Sequence, residues 1–76
     1  MVPNYSKLWK LLIDKKIKKT ELKLACNIAP GTYAKLNKDG FVSLEVLSRI
    51  CKYLHCDIGD IMSFEEANTE IIEARR

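Results

Sequence analysis

The residues of this chain best suited to chemistry are its lysines, and the chemistry they offer is neutralisation of a polyanion. Residues 1–38 carry nine Lys, at positions 7, 10, 15, 16, 18, 19, 23, 35 and 38, against Asp14 and Glu21, a balance of +7. Residues 39–76 carry Arg49, Lys52, Arg75 and Arg76 against eight acids, a balance of −4. The net charge of +3 therefore conceals a cationic first half, which fits a phosphate backbone as partner. Solvated lysines on amphipathic helices would give the same counts, so placement must decide between the two. The other reactive residue types suggest less. A metal site would have to gather Cys51, His55 and Cys56 with Cys26, and no CxxC or HxxxH spacing supports it. Cys26 and Cys51 fall instead on expected core faces, where a free thiol acts as a small hydrophobe. No carboxylate pair, nucleophile–base pair or phosphate loop stands out by its spacing, and one small domain leaves little room for a substrate cleft. No enzymatic activity, no cofactor, no metal and no small-molecule ligand are expected.

The scaffold for these lysines has to be small and local. With 76 residues, 47% of them apolar and 30% charged, the chain has the composition of one globular domain. At this size folding buries only about 60% of the unfolded surface, which favours a compact all-α arrangement. No apolar run approaches the ~20 residues of a membrane span. The start, MVPNYSKLWK, has no signal-peptide layout, and three cysteines make an odd count without a disulfide framework. A cytoplasmic location is expected, with no membrane partner.

The pattern of apolar residues sets out five helices. Tyr5, Leu8, Trp9, Leu12 and Ile13 recur at three and four, giving an amphipathic helix from Tyr5 to about Lys16, capped by Asn4 or Ser6 and preceded by a loose leader of residues 1–4. Trp9 reads as a core anchor. A second helix runs from about Lys19 to Cys26, with Leu22 and Cys26 four apart on one face. Asn27 is suited to the left-handed conformation that ends a helix, Ile28 supplies an apolar plug, and Pro30 fits the first turn of a third helix. That helix, to about Lys38, has Tyr33 and Leu36 as its apolar face and Gly40 as its left-handed stop. The turn at Asn27 is too short for antiparallel packing, so the second and third helices must cross steeply, as in a helix-turn-helix. Phe41 and Val42 form an apolar linker. Ser43 caps a fourth helix whose stripe is Leu44, Leu47, Ile50, Cys51 and Leu54, and Asp57-x-x-Asp60 caps a short fifth helix closed by Ile58, Ile61 and Met62. The domain is expected over residues 5–62. A tail follows over 63–76, where Phe64, Ala67, Ile71 and Ile72 mark a helical stripe too short to stand alone.

Leu22, Cys26, a turn residue at 27, Ile28, Tyr33 and Leu36 form a spacing that resembles the Cro/C1-type (XRE) helix-turn-helix family. Val42-Ser43-Leu44-x-x-Leu47-x-x-Ile50-x-x-Tyr53-Leu54 and Asp57-Ile58-x-Asp60-Ile61 are similar to the family's fourth and fifth helices. The resemblance covers roughly residues 5 to 64. It implies a compact five-helix, lambda-repressor-like domain. Lys23 stands where the family usually has a small residue, and Asn27 where it usually has Gly. The lysine ammonium at 23 is accordingly expected to point outward.

The resemblance also implies a site. In such a domain the third helix enters the DNA major groove while its neighbours hold phosphates. The family's base-reading positions fall on Pro30, Gly31 and Lys35, with Ala29 and Thr32 alongside. Its phosphate-holding positions fall on Lys19 and Lys38, with Thr20 beside Lys19, and the start of the second helix offers backbone N–H groups. Pro30 and Gly31 have no side-chain donors, so direct readout rests on Lys35, toward guanine, and on Thr32 or Ala29, toward a thymine methyl. The implied function is a DNA-binding transcriptional regulator or repressor of modest selectivity, acting on double-stranded DNA as a homodimer. The same residues leave open a protein-interaction or dimerisation module built on this fold. RNA binding ranks third, because the third helix lacks exposed aromatics for stacking.

Overall fold

A computed structural model describes residues 1–66 of the chain. Its elements are β1 (Val2–Asn4), α1 (Ser6–Asp14), α2 (Lys19–Ala25), α3 (Pro30–Asn37), α4 (Leu44–Leu54), a 3-10 turn (Ile58–Asp60) and β2 (Ser63–Glu65). The domain is helical, with four α-helices among the described residues. The expected fifth helix is a single 3-10 turn, held by a reciprocal cap between Asp57 and Asp60. Residues 1–4 are not a loose leader. Val2 pairs with Glu65, Pro3 with Phe64 and Asn4 with Ser63 in an antiparallel pair of strands. Of the apolar stripe expected over residues 63–76, Phe64 lies in β2, and Ala67, Ile71 and Ile72 lie outside the described residues.

One core draws on every helix. Leu8 and Leu12 come from α1, Leu22 from α2, Leu36 from α3, and Val46, Leu47, Ile50 and Leu54 from α4. Tyr5, Cys26, Ile28, Ile61 and Met62 fill the space between them, and among the described residues no polar or charged side chain is buried there. The expected stripes are right in period and wrong at their ends. Ile13 is 76% exposed and Leu44 74% exposed, because each sits in a terminal helical turn that overhangs the core. On α4 the buried face takes Val46 instead of Leu44, and Cys51 is half-buried.

All four helices end in the same way. Lys16, Asn27, Asp39 and His55 each adopt a positive φ, between 52° and 58°. After each, the next residue's N–H reaches back across the last turn: Ile17 to Leu12 O at 2.9 Å, Ile28 to Lys23 O at 3.0 Å, Gly40 to Lys35 O at 2.7 Å and Cys56 to Cys51 O at 3.0 Å. These are Schellman closures, which satisfy carbonyls that the helix leaves without partners. Asn27 takes the left-handed role expected of it. At the end of α3 that role falls to Asp39 rather than Gly40. Gly40 meets a different constraint: a Cβ there would stand 3.2 Å from Lys35 Cβ and 3.3 Å from Lys35 O, tighter than ordinary contact.

Side-chain bonds fix the entries of α1 and α4. Ser43 Oγ accepts the Val46 N–H at 3.3 Å, the expected cap. Asn4 Oδ1 accepts the Ser6 N–H at 2.8 Å, although the residue at the N-cap of α1 is Tyr5. Tyr5 is 1% exposed and ties the start of α1 to the end of α3. Its N–H donates to Asp39 Oδ1 at 3.0 Å and its hydroxyl to Gly40 O at 2.7 Å. Burial first, and then the Asp39 carboxylate, push the phenol above its usual 10.0. The α3–α4 linker is therefore held at a fixed height above the core.

Candidate nucleic-acid interface

The α2–turn–α3 unit is anchored along one side. Leu22, Cys26 and Ile28 are buried, and the Cys26 thiol donates to Arg49 O at 3.7 Å. Arg49 Nη1 donates to Asn27 O at 3.4 Å, which places a cation against the C-terminal end of α2, where the helix dipole favours it. Burial raises the Cys26 thiol pKa while the Arg49 charge works the other way. Arg49 has no local signal in the sequence, since its partner Asn27 lies 22 positions earlier, in the turn between α2 and α3. Across the turn, Lys23 does not point simply outward. It is half-buried, with Nζ 5.2 Å from the centroid of the Tyr33 ring, a cation–π contact between the two helices.

Helix α3 rests on the core through one fully buried residue, Leu36, with half-buried Tyr33 packed beside it. The rest of its surface is presented to solvent. Ala29, Pro30, Gly31, Ala34, Lys35, Asn37 and Lys38 are exposed, and Thr32 is half-buried. Nothing lies within 4 Å of where a Gly31 Cβ would be, so the first turn of α3 is open. Ala29 offers no side-chain cap. Among the expected site residues, Ala29, Pro30, Gly31, Thr32, Lys35 and Lys38 are thus contiguous on α3 and its two ends.

Lys19 joins this surface from α2, with Thr20 exposed beside it. Its ammonium donates to Asn37 Oδ1 at 3.2 Å and stands 4.2 Å from the centroid of the Trp9 ring. Asn37 Nδ2 in turn donates to Tyr33 O at 3.1 Å. Trp9 therefore packs against the core on one side and carries a cation on the other, rather than serving as a core anchor alone. Trp9 and Asn37 are the two residues of this surface that the sequence reading missed. A lysine held in this way has surrendered part of its rotamer freedom while keeping donors for a further anion.

Two helices crossing at a left-handed residue, the second raised on a narrow apolar foot and flanked by lysines, define a helix-turn-helix domain. The Cro/C1-type HTH DNA-binding domain family matches residues 7–67. The chain belongs to that family. Among solved structures it is similar to a crystal structure of the transcriptional regulator VanUg, with 52% sequence identity, a TM-score of 0.82, and coverage of 86% of this chain and 88% of that one. A comparison with curated proteins gives no match. Among the described residues no helix is long and apolar enough to cross a membrane.

Proposed function

We propose that this chain is a transcriptional regulator that lays α3 in the major groove of double-stranded DNA. The observation carrying this reading is the single buried residue of α3, Leu36, which leaves the helix's remaining face open between Lys19 and Lys38. In this reading Lys19 and Lys38 neutralise phosphates on either side of the groove, and Thr20 supports Lys19. Lys35 reaches a base edge, with Ala29, Pro30, Gly31 and Thr32 forming a low first turn that lets the backbone approach the duplex. With so few donors on the outer face, phosphate contacts dominate and selectivity per half-site is modest. A homodimer on two half-sites one helical repeat apart, ~34 Å, multiplies that selectivity. Residues 5–62 form the reading unit, and the protein works where DNA is, without catalytic activity.

Fluorescence anisotropy with duplex DNA over a salt series tests this reading. Binding should weaken with log salt at a slope of about −0.9 per phosphate neutralised. Changing Lys19, Lys35 and Lys38 together to Glu should abolish it. Unchanged affinity in that variant would remove the assigned face.

A second reading, a protein-interaction module, is favoured by Phe41, Leu44 and Phe64, which are 65%, 74% and 55% exposed. The two readings are compatible if the apolar surface recruits a second copy.

A further inference from the structure

Where α2 and α4 end, the surface carries a cleft of about 700 Å³. Asn27, Arg49, Lys52, Tyr53 and His55 are among its lining residues, and the lining holds no Asp or Glu. None of the residues assigned above to the duplex lines it. Arg49, Lys52 and Tyr53 stand three and four positions apart, so they share one face of α4. The C-terminal ends of α2 and α4 each bring about half a negative charge to this place, and the full charges of Arg49 and Lys52 outweigh them. The result is a positive hollow rather than a positive ridge.

Arg49 is the group in this cleft whose bonding is incomplete. Its Nη1 donates to Asn27 O over a long 3.4 Å. Among the described residues its Nε is shielded from solvent and meets no acceptor, a costly state for a donor on a charged group. In a guanidinium, Nε–H and one N–H of Nη2 lie along one edge and point the same way. That fork matches the two oxygens of a carboxylate or a phosphate, and the bond from Nη1 does not use it. Because the bond to Asn27 O is long, a small turn of the guanidinium is enough to present the fork to the cleft. Lys52 is exposed beside it. Tyr53, 38% exposed, adds an aromatic wall.

From these features we infer that the cleft binds a small organic oxyanion, a carboxylate or phosphate monoester carried on a planar apolar body. Arg49 and Lys52 take the oxygens, and the Tyr53 ring takes the body. The volume is that of a site for a discrete molecule, about 300–1,000 Å³, whereas a rigid duplex meets elements that project, as α3 does. The inference goes beyond the DNA-binding reading and does not depend on it. It does place a ligand next to the turn of the helix-turn-helix, because Arg49 holds the carbonyl of Asn27, the left-handed residue between α2 and α3.

Nuclear magnetic resonance titrations of the full, isotopically labelled chain, without DNA and at constant ionic strength, test the inference. Phenyl phosphate and benzoate should shift the Arg49 Nε–H signal and the Asn27 and His55 amide signals saturably, and the tighter binder identifies the headgroup. Uncharged benzyl alcohol and inorganic phosphate, each offering half of the ligand, should bind about tenfold more weakly or worse. Lys52→Met changes an exposed side chain and should raise the Kd about tenfold, as loss of a charge-assisted bond does. Arg49→Met, checked for folding by circular dichroism, should abolish saturation. Lys10→Met removes the same charge from an exposed position on α1 outside the cleft and should keep the wild-type Kd. Shifts that stay linear with concentration, or that centre on α3 and Lys19, overturn the inference. So does an equal loss in Lys10→Met and Lys52→Met, or inorganic phosphate binding as tightly as phenyl phosphate. A DNA duplex that moves the Arg49 Nε–H signal as far as phenyl phosphate does overturns it too, by making the cleft part of the duplex surface.

Discussion

The contact between Lys19 and Asn37 separates two quantities that are usually lost together when a DNA-binding protein is mutated. Lys19 contributes a charge, and Asn37 and Trp9 contribute its position. Lys19→Met removes the charge, so the slope of log affinity against log salt should become shallower by about 0.9, one phosphate's worth of released counterions. Asn37→Ala leaves the charge and releases one of two restraints on the ammonium, the 3.2 Å bond to Oδ1. The Trp9 contact at 4.2 Å is worth about 0.5–1 kcal/mol at an exposed site, and the lost hydrogen bond is worth a similar amount. Affinity should therefore fall about two- to fivefold, by the rule that 1.4 kcal/mol is tenfold, with the slope unchanged. Asn37→Asp adds a third behaviour. The new carboxylate competes with phosphate for the same ammonium, so both affinity and slope should drop toward the Lys19→Met values. Anisotropy titrations of the three variants at four or more salt concentrations give both numbers. If Asn37→Ala flattens the slope as much as Lys19→Met, or if Lys19→Met leaves it unchanged, the division of labour described here is wrong.

The remaining predictions concern stability. Tyr5→Phe should cost about 1 kcal/mol at neutral pH through loss of the bond to Gly40 O, a Tm decrease of about 4–8 °C. Because Tyr5's folded pKa is raised, the unfolded chain binds fewer protons above its ordinary 10.0, so wild-type stability should fall as pH climbs past that value. Denaturant titrations should show a smaller alkaline decline in Tyr5→Phe; an identical decline would mean that Tyr5 is not a source of it. Lys16→Gly and His55→Gly should each add about 0.5–1 kcal/mol by relieving a left-handed side-chain residue. Asp39→Gly should instead destabilise, because the Tyr5 N–H loses its acceptor. Gly40→Ala should cost about 1–3 kcal/mol by crowding Lys35, and a neutral result in a thermal melt would contradict the tight packing at that turn.

The helix-turn-helix itself could be read from the sequence because its signals are local. Leu22, Cys26, Asn27, Ile28 and Pro30 are a stripe, a stop, a plug and a start within nine consecutive positions, and the structure keeps each role. Ser43 as a cap was legible for the same reason. What escaped depends on contacts distant in the chain. The β1–β2 pair involves strands of three residues, too short for period-two alternation to register, and Pro3 discourages a strand reading. Asn37 meets Lys19 across 18 positions, and Arg49 meets Asn27 across 22. Glycine usually fills the left-handed role, so the sequence points to Gly40. Asp39 can fill it because a short polar side chain tolerates the conformation, and its carboxylate is wanted by Tyr5. On α3, the largely exposed first turn from Ala29 to Thr32, with Lys35, was legible as a candidate surface, but the placing of Lys19 beside it by Trp9 and Asn37 was not.

The chain's single tryptophan lies beneath the ammonium that is assigned to the phosphate backbone. Indole emission responds to a charge at this range, so the protein carries an intrinsic optical sensor at the edge of the surface proposed to meet DNA. If Lys19 engages a phosphate as proposed, the field over the ring should change, and association should be readable from the emission without any added dye.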